Sequence, residues 1–148
     1  MSVRPMRAGD VPPVVAIEEA VMDTPWSRSL VEAELQGGSG IRLVFELHGQ
    51  VAGYVFFRFC GPEAELLRIA VREQSRRLGI GSTLLSAGVA ALRCHHGVIS
   101  CFLEVRSANR TALRFYAKEG FVEVGRRPGY YRQPSDDALI LGLEIRDE

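Results

Sequence analysis

The sequence predicts an α/β domain built on a mixed sheet, and three observations carry the prediction. Strand-like and helix-like apolar spacings succeed one another along the chain in the order β-α-α-β-β-β-α-β-α-β-β, about seven strands and four helices. Three strand-like runs follow one another in the middle with no room for crossover helices, which excludes a doubly wound parallel sheet. The stretch RRLGIG, Arg76–Gly81, then stands between a strand and a helix, where backbone N–H groups are open to a ligand. With 148 residues, 1–148 reads as one domain, long enough to bury about 68–70% of the surface it exposes when unfolded.

Each element has a local cause. Ser2–Met6 reads as an opening strand. Asp10 is placed to cap a helix over Val11–Val21, with Pro12 tolerated in its first turn. Val14, Ile17, Glu18 and Val21 give that helix a mixed face. Ser27 caps a short helix, Arg28–Leu35, and GGSG at Gly37–Gly40 breaks the chain. Ile41–Leu47 and Val51–Phe59 flank His48-Gly49-Gln50 as a hairpin, and Glu65–Val71 follows a turn at Gly61-Pro62. A helix from Gly79 to Arg93 is marked by Ile80, Leu84, Ala87 and Ala91, with Leu85 and Leu92 widening the stripe. Val98–Val105 is a strand. Asn109 precedes a helix over Arg110–Glu119, and Gly120 is a typical stop. Phe121–Val124 and Ala138–Ile145 are closing strands around a loop, RRPGYYRQPSDD, Arg126–Asp137.

Composition removes several functional classes. The formal net charge is zero, which argues against nucleic acid as the main partner, although Arg76–Arg77 and Arg126–Arg127 form local basic pairs. Cys60, Cys94 and Cys101 are odd in number and show no CxxC spacing, so reduced, buried thiols are expected. The start MSVRPMRAGD lacks an apolar run of signal-peptide length, and no stretch approaches 18 apolar residues. The expectation is a cytoplasmic protein without membrane contact. His95-His96 invites a metal reading, but adjacent histidines at a helix end point apart and no third ligand stands at metal spacing. Their position at a helix C-terminus needs only the dipole, so no metal is expected.

The glycine stretch asks for an anion. A P-loop requires Gly-Lys-Ser/Thr, but Gly81 is followed directly by Ser82. A dinucleotide fingerprint requires a third glycine, and position 84 is Leu84. What remains, Arg-x-x-Gly-x-Gly with two arginines, suits a pyrophosphate.

These residues resemble a known family. RRLGIG after the strand ELLRIAV, Glu65–Val71, is similar to the acyl-CoA motif of the GCN5-related N-acetyltransferases. LEVRSANRTALRFYAKEGF, Leu103–Phe121, resembles the stretch typical of the bacterial ribosomal-protein alanine N-acetyltransferases. So do TPWS at Thr24–Ser27, RRPGYY at Arg126–Tyr131 and DALIL at Asp137–Leu141, in the family's order. The resemblance implies a single-domain fold of this superfamily, with a mostly antiparallel sheet. It implies acetyl-CoA as cosubstrate, with Ile69, Ala70 and Val71 beside the pantetheine arm. Arg76, Arg77, Leu78, Gly79, Ile80, Gly81 and Ser82 would take the pyrophosphate, and Asn109 would touch the coenzyme. Asn109 reads equally as a plain helix cap.

The same resemblance implies Glu104 as general base and Tyr116 as general acid, Tyr116 also meeting the coenzyme. Strand alternation puts Glu104 opposite Leu103 and Val105 and on the side of Phe102, and a single carboxylate can serve an amine that is partly neutral at pH 7. A solvated Glu104, or one paired with Arg68 or Arg106, is the alternative. Tyr116 is protonated at neutral pH and can donate to a departing thiolate; its alternative is packing. Trp26, Arg68, Tyr130 and Tyr131 are expected to line the acceptor site, and Trp26 reads equally as core.

Two features depart from the family pattern. Arg68 stands where a small polar residue is usual, and it could favour an acidic peptide or pair with Glu104. The loop after Tyr131 is short, and Pro128-Gly129 adds a residue between arginines and tyrosines. The expected acceptor is a protein N-terminus, a ribosomal protein beginning with Ala. A small amine or Lys acceptor, or an acyl-CoA-binding module without catalysis, remain the other readings.

Overall fold

A computed structural model describes residues 2–145. Seven strands form one sheet in the order β1-β2-β3-β4-β5-β7-β6. They are β1 (Ser2–Pro5), β2 (Gly40–Leu47), β3 (Gln50–Cys60), β4 (Glu63–Val71), β5 (Ser100–Arg106), β6 (Val122–Arg132) and β7 (Ser135–Glu144). The four α-helices among the described residues are α1 (Val11–Val21), α2 (Arg28–Leu35), α3 (Ile80–His96) and α4 (Arg110–Lys118). Among the described residues only β4 and β5 run parallel, and the other pairings are antiparallel.

Two apolar clusters cover the two faces of the sheet. Val55, Phe57, Leu66, Cys101, Leu103 and Leu141 face α3 and α4, meeting Leu84, Leu92 and the flank of Phe115 and Tyr116. Val44, Tyr54, Phe56 and Ala70 face α1 and α2, meeting Val14, Ile17 and Val31. The strand period of two therefore assigns each residue of β4 and β5 to one side.

The irregularity that matters lies in β4. Phe56 pairs with Arg68 and Phe57 with Leu66, so Leu67 is an extra residue in the strand. Such a bulge bends the strand and re-aims its side chains. β4 and β5 pair only from Glu63↔Ser100 to Glu65↔Phe102 and then separate. Past that point β4 keeps β3 as its neighbour and β5 keeps β7. Two strand edges thus face each other across a gap, one belonging to Leu66–Val71 and the other to Leu103–Arg106.

Four expectations are corrected. Asp10 does not cap α1 with its side chain; it accepts from the Arg7 N–H at 2.8 Å and pairs with Arg4 at 2.8 Å. The Arg4 guanidinium accordingly holds the Asp10 carboxyl below its ordinary pKa. Helix α3 runs on to His96, where the ring stacks on Phe59 with centroids 4.3 Å apart. Cys60 and Cys94 are exposed, and only Cys101 is buried. The expected loop over Arg126–Asp137 is mostly strand, with the register slipping between Arg127 and Tyr131. Pro128 and Gly129 sit in that slip, and pairing resumes at Tyr131↔Asp136.

Candidate active site

The start of α3 is built from backbone. Gly79 precedes the helix at φ +76°, the left-handed region that L side chains avoid. Arg77 also takes positive φ, 68°, so the chain turns sharply between β4 and α3. The first N–H to bond back along the helix is that of Thr83, to the Gly79 carbonyl at 3.0 Å. The N–H groups of Ile80, Gly81 and Ser82 precede it and are the open donors of any helix start. Gly81 is not among the glycines at positive φ. A Cβ there would lie 3.4 Å from the Phe115 ring, which seats α4 against α3.

Helix α4 carries Tyr116 and is fixed at both ends. Asn109 accepts from the Ala112 N–H at 3.2 Å, so the cap reading holds. At the other end Ser82 donates its hydroxyl to the Glu119 carboxylate at 3.0 Å, a contact that sequence reasoning did not anticipate. The Tyr116 ring meets Phe115 and Phe121 edge-on, with centroids at 5.3 and 5.6 Å. Its hydroxyl has no hydrogen-bond partner among the described residues, and burial pushes its pKa up to about 12. Packing and a free protonated hydroxyl thus coexist in one residue.

Glu104 lies on the other face. It shares that face with Phe102, and Phe102 pairs with Glu65. Its carboxylate meets Arg127 at 3.7 Å, with side-chain exposures of 31% and 58%, so neither Arg68 nor Arg106 is its ion-pair partner. An exposed pair of this kind is worth roughly 0–1 kcal/mol and is easily released. A cleft of about 440 Å³ runs beside it, lined among others by Glu63, Glu65, Phe102, Arg127 and Ile140. Tyr131 belongs to the same neighbourhood: burial and then the Glu104 charge raise its pKa. Arg106 lies over the Tyr131 ring at 4.1 Å and donates to the Pro134 carbonyl at 2.9 Å. Tyr130 is half exposed, with the Arg127 guanidinium 5.5 Å from its ring centre.

The carboxylates of Asp136 and Asp137 hold this end of the hairpin. Asp136 accepts from the Ser107 hydroxyl and from the Ala108 N–H at 3.0 Å. Asp137 accepts from Arg126 and from the Gly129 N–H, each at 2.9 Å. These bonds join β6 and β7 to the turn that leads into α4, and nothing in the local sequence pattern distinguished them from ordinary turn acids.

Arg68 and Trp26 occupy the same sheet face as Glu104, on the far side of the gap. Arg68 pairs with Glu18 of α1 at 2.6 Å, not with Glu104. Glu18 is fully buried and also accepts from the Trp26 N–H at 2.7 Å and from the Tyr54 hydroxyl. Trp26 stacks on Phe56 with ring centroids 5.8 Å apart, which agrees with its core reading. Glu18 had registered only as one polar member of a mixed helix face.

The gap joins these halves. Tyr116 and the start of α3 lie on one side of the sheet, Glu104, Tyr131 and Trp26 on the other. Backbone at Ile69, Ala70 and Val71 borders the opening on β4. Arg76, Arg77 and Leu78 are exposed beside the open N–H groups. An extended chain ending in a diphosphate fits this arrangement: strand edge for an amide-bearing arm, helix start for the charge. Among the described residues no group of three His, Cys, Asp or Glu is placed to hold a metal, and no helix is long and apolar enough to cross a membrane.

Residues 12–121 match the acetyltransferase (GNAT) family. The chain is 32% identical to the ribosomal protein bS18-alanine N-acetyltransferase of Escherichia coli strain K12 over 138 residues, 92% of either chain. It is 29% identical over 155 residues to the N-alpha-acetyltransferase of Sulfurisphaera tokodaii, covering 97% of this chain and 92% of that one. The crystal structure of the ribosomal-protein-S18-alanine N-acetyltransferase from Escherichia coli superimposes with a TM-score of 0.89 at 29% identity, over 99% of this chain and 95% of that chain. The chain belongs to the acetyltransferase (GNAT) family and is an acetyl-CoA-dependent N-acetyltransferase.

Proposed function

We propose that this enzyme acetylates the N-terminal α-amine of a protein, with a ribosomal protein beginning with Ala as the expected acceptor and the cytoplasm as its location. One observation carries the reading: Glu104 and Tyr116 sit on opposite faces of the sheet at a single gap, so an amine and a coenzyme can approach from two sides. The relatives' names supply the acceptor class, since both act on protein or α-amino substrates by name.

Acetyl-CoA supplies the thioester carbonyl and the leaving thiol. Ile69–Val71, Arg76–Ser82 and Asn109 hold it, and Glu104 and Tyr116 manage protons. A peptide α-amine has a pKa of about 7.7–8.0, so roughly a tenth is neutral at pH 7, against well under a thousandth for Lys. Glu104 takes the proton released from the attacking nitrogen at its carboxylate oxygen, leaving Arg127 to do so. Tyr116 holds its proton firmly at a pKa of about 12. The phenol is therefore protonated at neutral pH and donates to the developing thiolate as general acid.

Thiol release is measured with acetyl-CoA and short peptides beginning with Ala, Ser, Met or Gly. Internal-Lys peptides and free polyamines serve as controls. Turnover of free α-amino peptides, abolished by prior N-acetylation, is expected. Turnover of polyamines alone would replace the protein acceptor with a small amine. Tight coenzyme binding without turnover of any amine would leave only a binding module.

A further inference from the structure

Arg68 interrupts the usual small polar pattern, and its neighbours give it a use. A guanidinium carries five N–H donors in a fixed fork. Nε donates to Glu18 Oε2 at 3.3 Å, and Nη2 donates to Glu18 Oε1 at 2.6 Å and to the Thr24 carbonyl at 2.9 Å. Those three bonds leave Nη1, with two N–H groups, without a partner among the described residues. The side chain keeps 18% exposure, so the free end is reachable. Its plane is held as well as its charge, because the guanidinium carbon lies 5.2 Å from the centre of the Trp26 ring.

Glu18 neutralises that charge from a fully buried position. The charge that would favour an acidic peptide, one of the two uses the sequence offered for Arg68, is taken up by Glu18. What survives is a rigid, charge-balanced pair of N–H donors on the acceptor face, at the bulge where β4 turns away from β5. The chemistry that answers such donors is a neutral carbonyl oxygen. A peptide N-terminus always carries one, two bonds from its nitrogen-bearing carbon at most. A polyamine or a Lys side chain has none at that place.

We propose that Arg68 Nη1 donates to the first peptide carbonyl of the acceptor, and that Glu18 is the residue that positions it. Arg68 is then a specificity residue: it reads the α-amino carbonyl unit, not the side chain that follows. The inference rests on the α-amine reading given above.

The test compares two acceptors, an Ala-initiated tripeptide and its analogue with an alkene in place of the first amide bond. Intrinsic differences in amine reactivity cancel when wild type and variant are compared on the pair. R68K keeps a cation beside Glu18 but has no second terminal nitrogen. It is expected to lower kcat/KM on the peptide by about tenfold to a hundredfold, the range for a hydrogen bond from a charged group. The analogue's kcat/KM and the acetyl-CoA affinity are expected to stay unchanged. Should R68K fail to fold, the double variant E18Q/R68M removes both charges together and is read on the same pair. Equal losses on both acceptors, or no loss on either, would overturn the inference and leave the functional reading intact. A wild-type enzyme silent on every α-amino peptide would overturn both.

Discussion

The two sides of the gap are made from different material. Under the function proposed above, the groups that would hold the coenzyme are chiefly main-chain, the strand edge at Ile69–Val71 and the N–H groups that follow Gly79, joined by the Tyr116 phenol. On the acceptor side they are side chains drawn from distant segments: Glu18, Trp26, Arg68, Glu104, Arg127 and Tyr131. Main-chain groups are the same whatever the residue, so that half tolerates sequence change as long as the backbone keeps its course. Side-chain groups answer to single substitutions. On that reading donor binding depends on the course of the backbone, while the choice of acceptor is open to variation in a handful of residues.

The largest effect should come from the acceptor side. Glu104→Gln is expected to lower kcat by about 10²–10⁴-fold at pH 7, the usual range for a positioned base. The deficit should shrink as pH rises past the amine pKa, because the nucleophile then deprotonates without help. A mutant-to-wild-type ratio that stays flat across the pH range would remove Glu104 from that role.

Tyr116→Phe comes next and probes the gap from the other face. Loss of its hydrogen bond to a charged sulfur should lower kcat by about tenfold to a hundredfold. Acetyl-CoA affinity should hold, since the ring still packs on Phe115 and Phe121. The raised pKa has a direction that can be checked. The phenol stays protonated up to about pH 12, so wild-type rates should show no break at pH 10, where an ordinary tyrosine ionises. Collapse of coenzyme binding in the variant would make the ring structural.

The contrast also explains what could be read from the chain. The glycine stretch, the helix caps Ser27 and Asn109, and the order of elements follow local rules, and the structure keeps them. The course of β6 was hidden because Pro128 and Gly129 look like a loop. The pairing with β7 on either side of them, up to Arg127 and again from Tyr131, carries the strand across, and Asp137 takes up the Gly129 N–H. The partner of Arg68 was out of reach for a similar reason. Glu18 is 50 residues away, and the pair meets only because a bulge at Leu67 turns β4 toward α1. Likewise Asp10 sits where a cap belongs, yet Arg4 and the Arg7 N–H claim its carboxylate.

The two glycines separate conformation from space within the coenzyme half. Gly79→Ala meets no atom within 4 Å, but it forces an L residue to φ +76°. That costs about 1–2 kcal/mol, visible as a lower Tm and as weaker coenzyme binding. Gly81→Ala meets the Phe115 ring at 3.4 Å and the Val71 side chain at 3.9 Å, ordinary contacts, and should be close to neutral in both measurements. Equal losses at the two positions would mean that the open N–H groups matter less than the fit of α4.

Glu119 gives a small expected effect and the sharpest test of the main-chain account. Ser82 has one hydroxyl proton and donates it to Glu119. While that bond stands, Ser82 has no proton for a phosphate oxygen, and a carboxylate waits beside the site of a second anion. Glu119→Gln keeps an oxygen that can accept from Ser82 but removes the charge. If the diphosphate settles on backbone N–H groups, relief of the repulsion should tighten acetyl-CoA binding. Exposed unit charges in water repel by about 1 kcal/mol at most, so the expected gain is no more than about fivefold in affinity. The gain should fade as salt is raised toward 1 M, where the screening length drops to about 3 Å. Titration calorimetry across a salt series reads both. Weaker binding in the variant would mean that Glu119 holds Ser82 and α4 in place for the coenzyme, and that side chains carry the donor half as well.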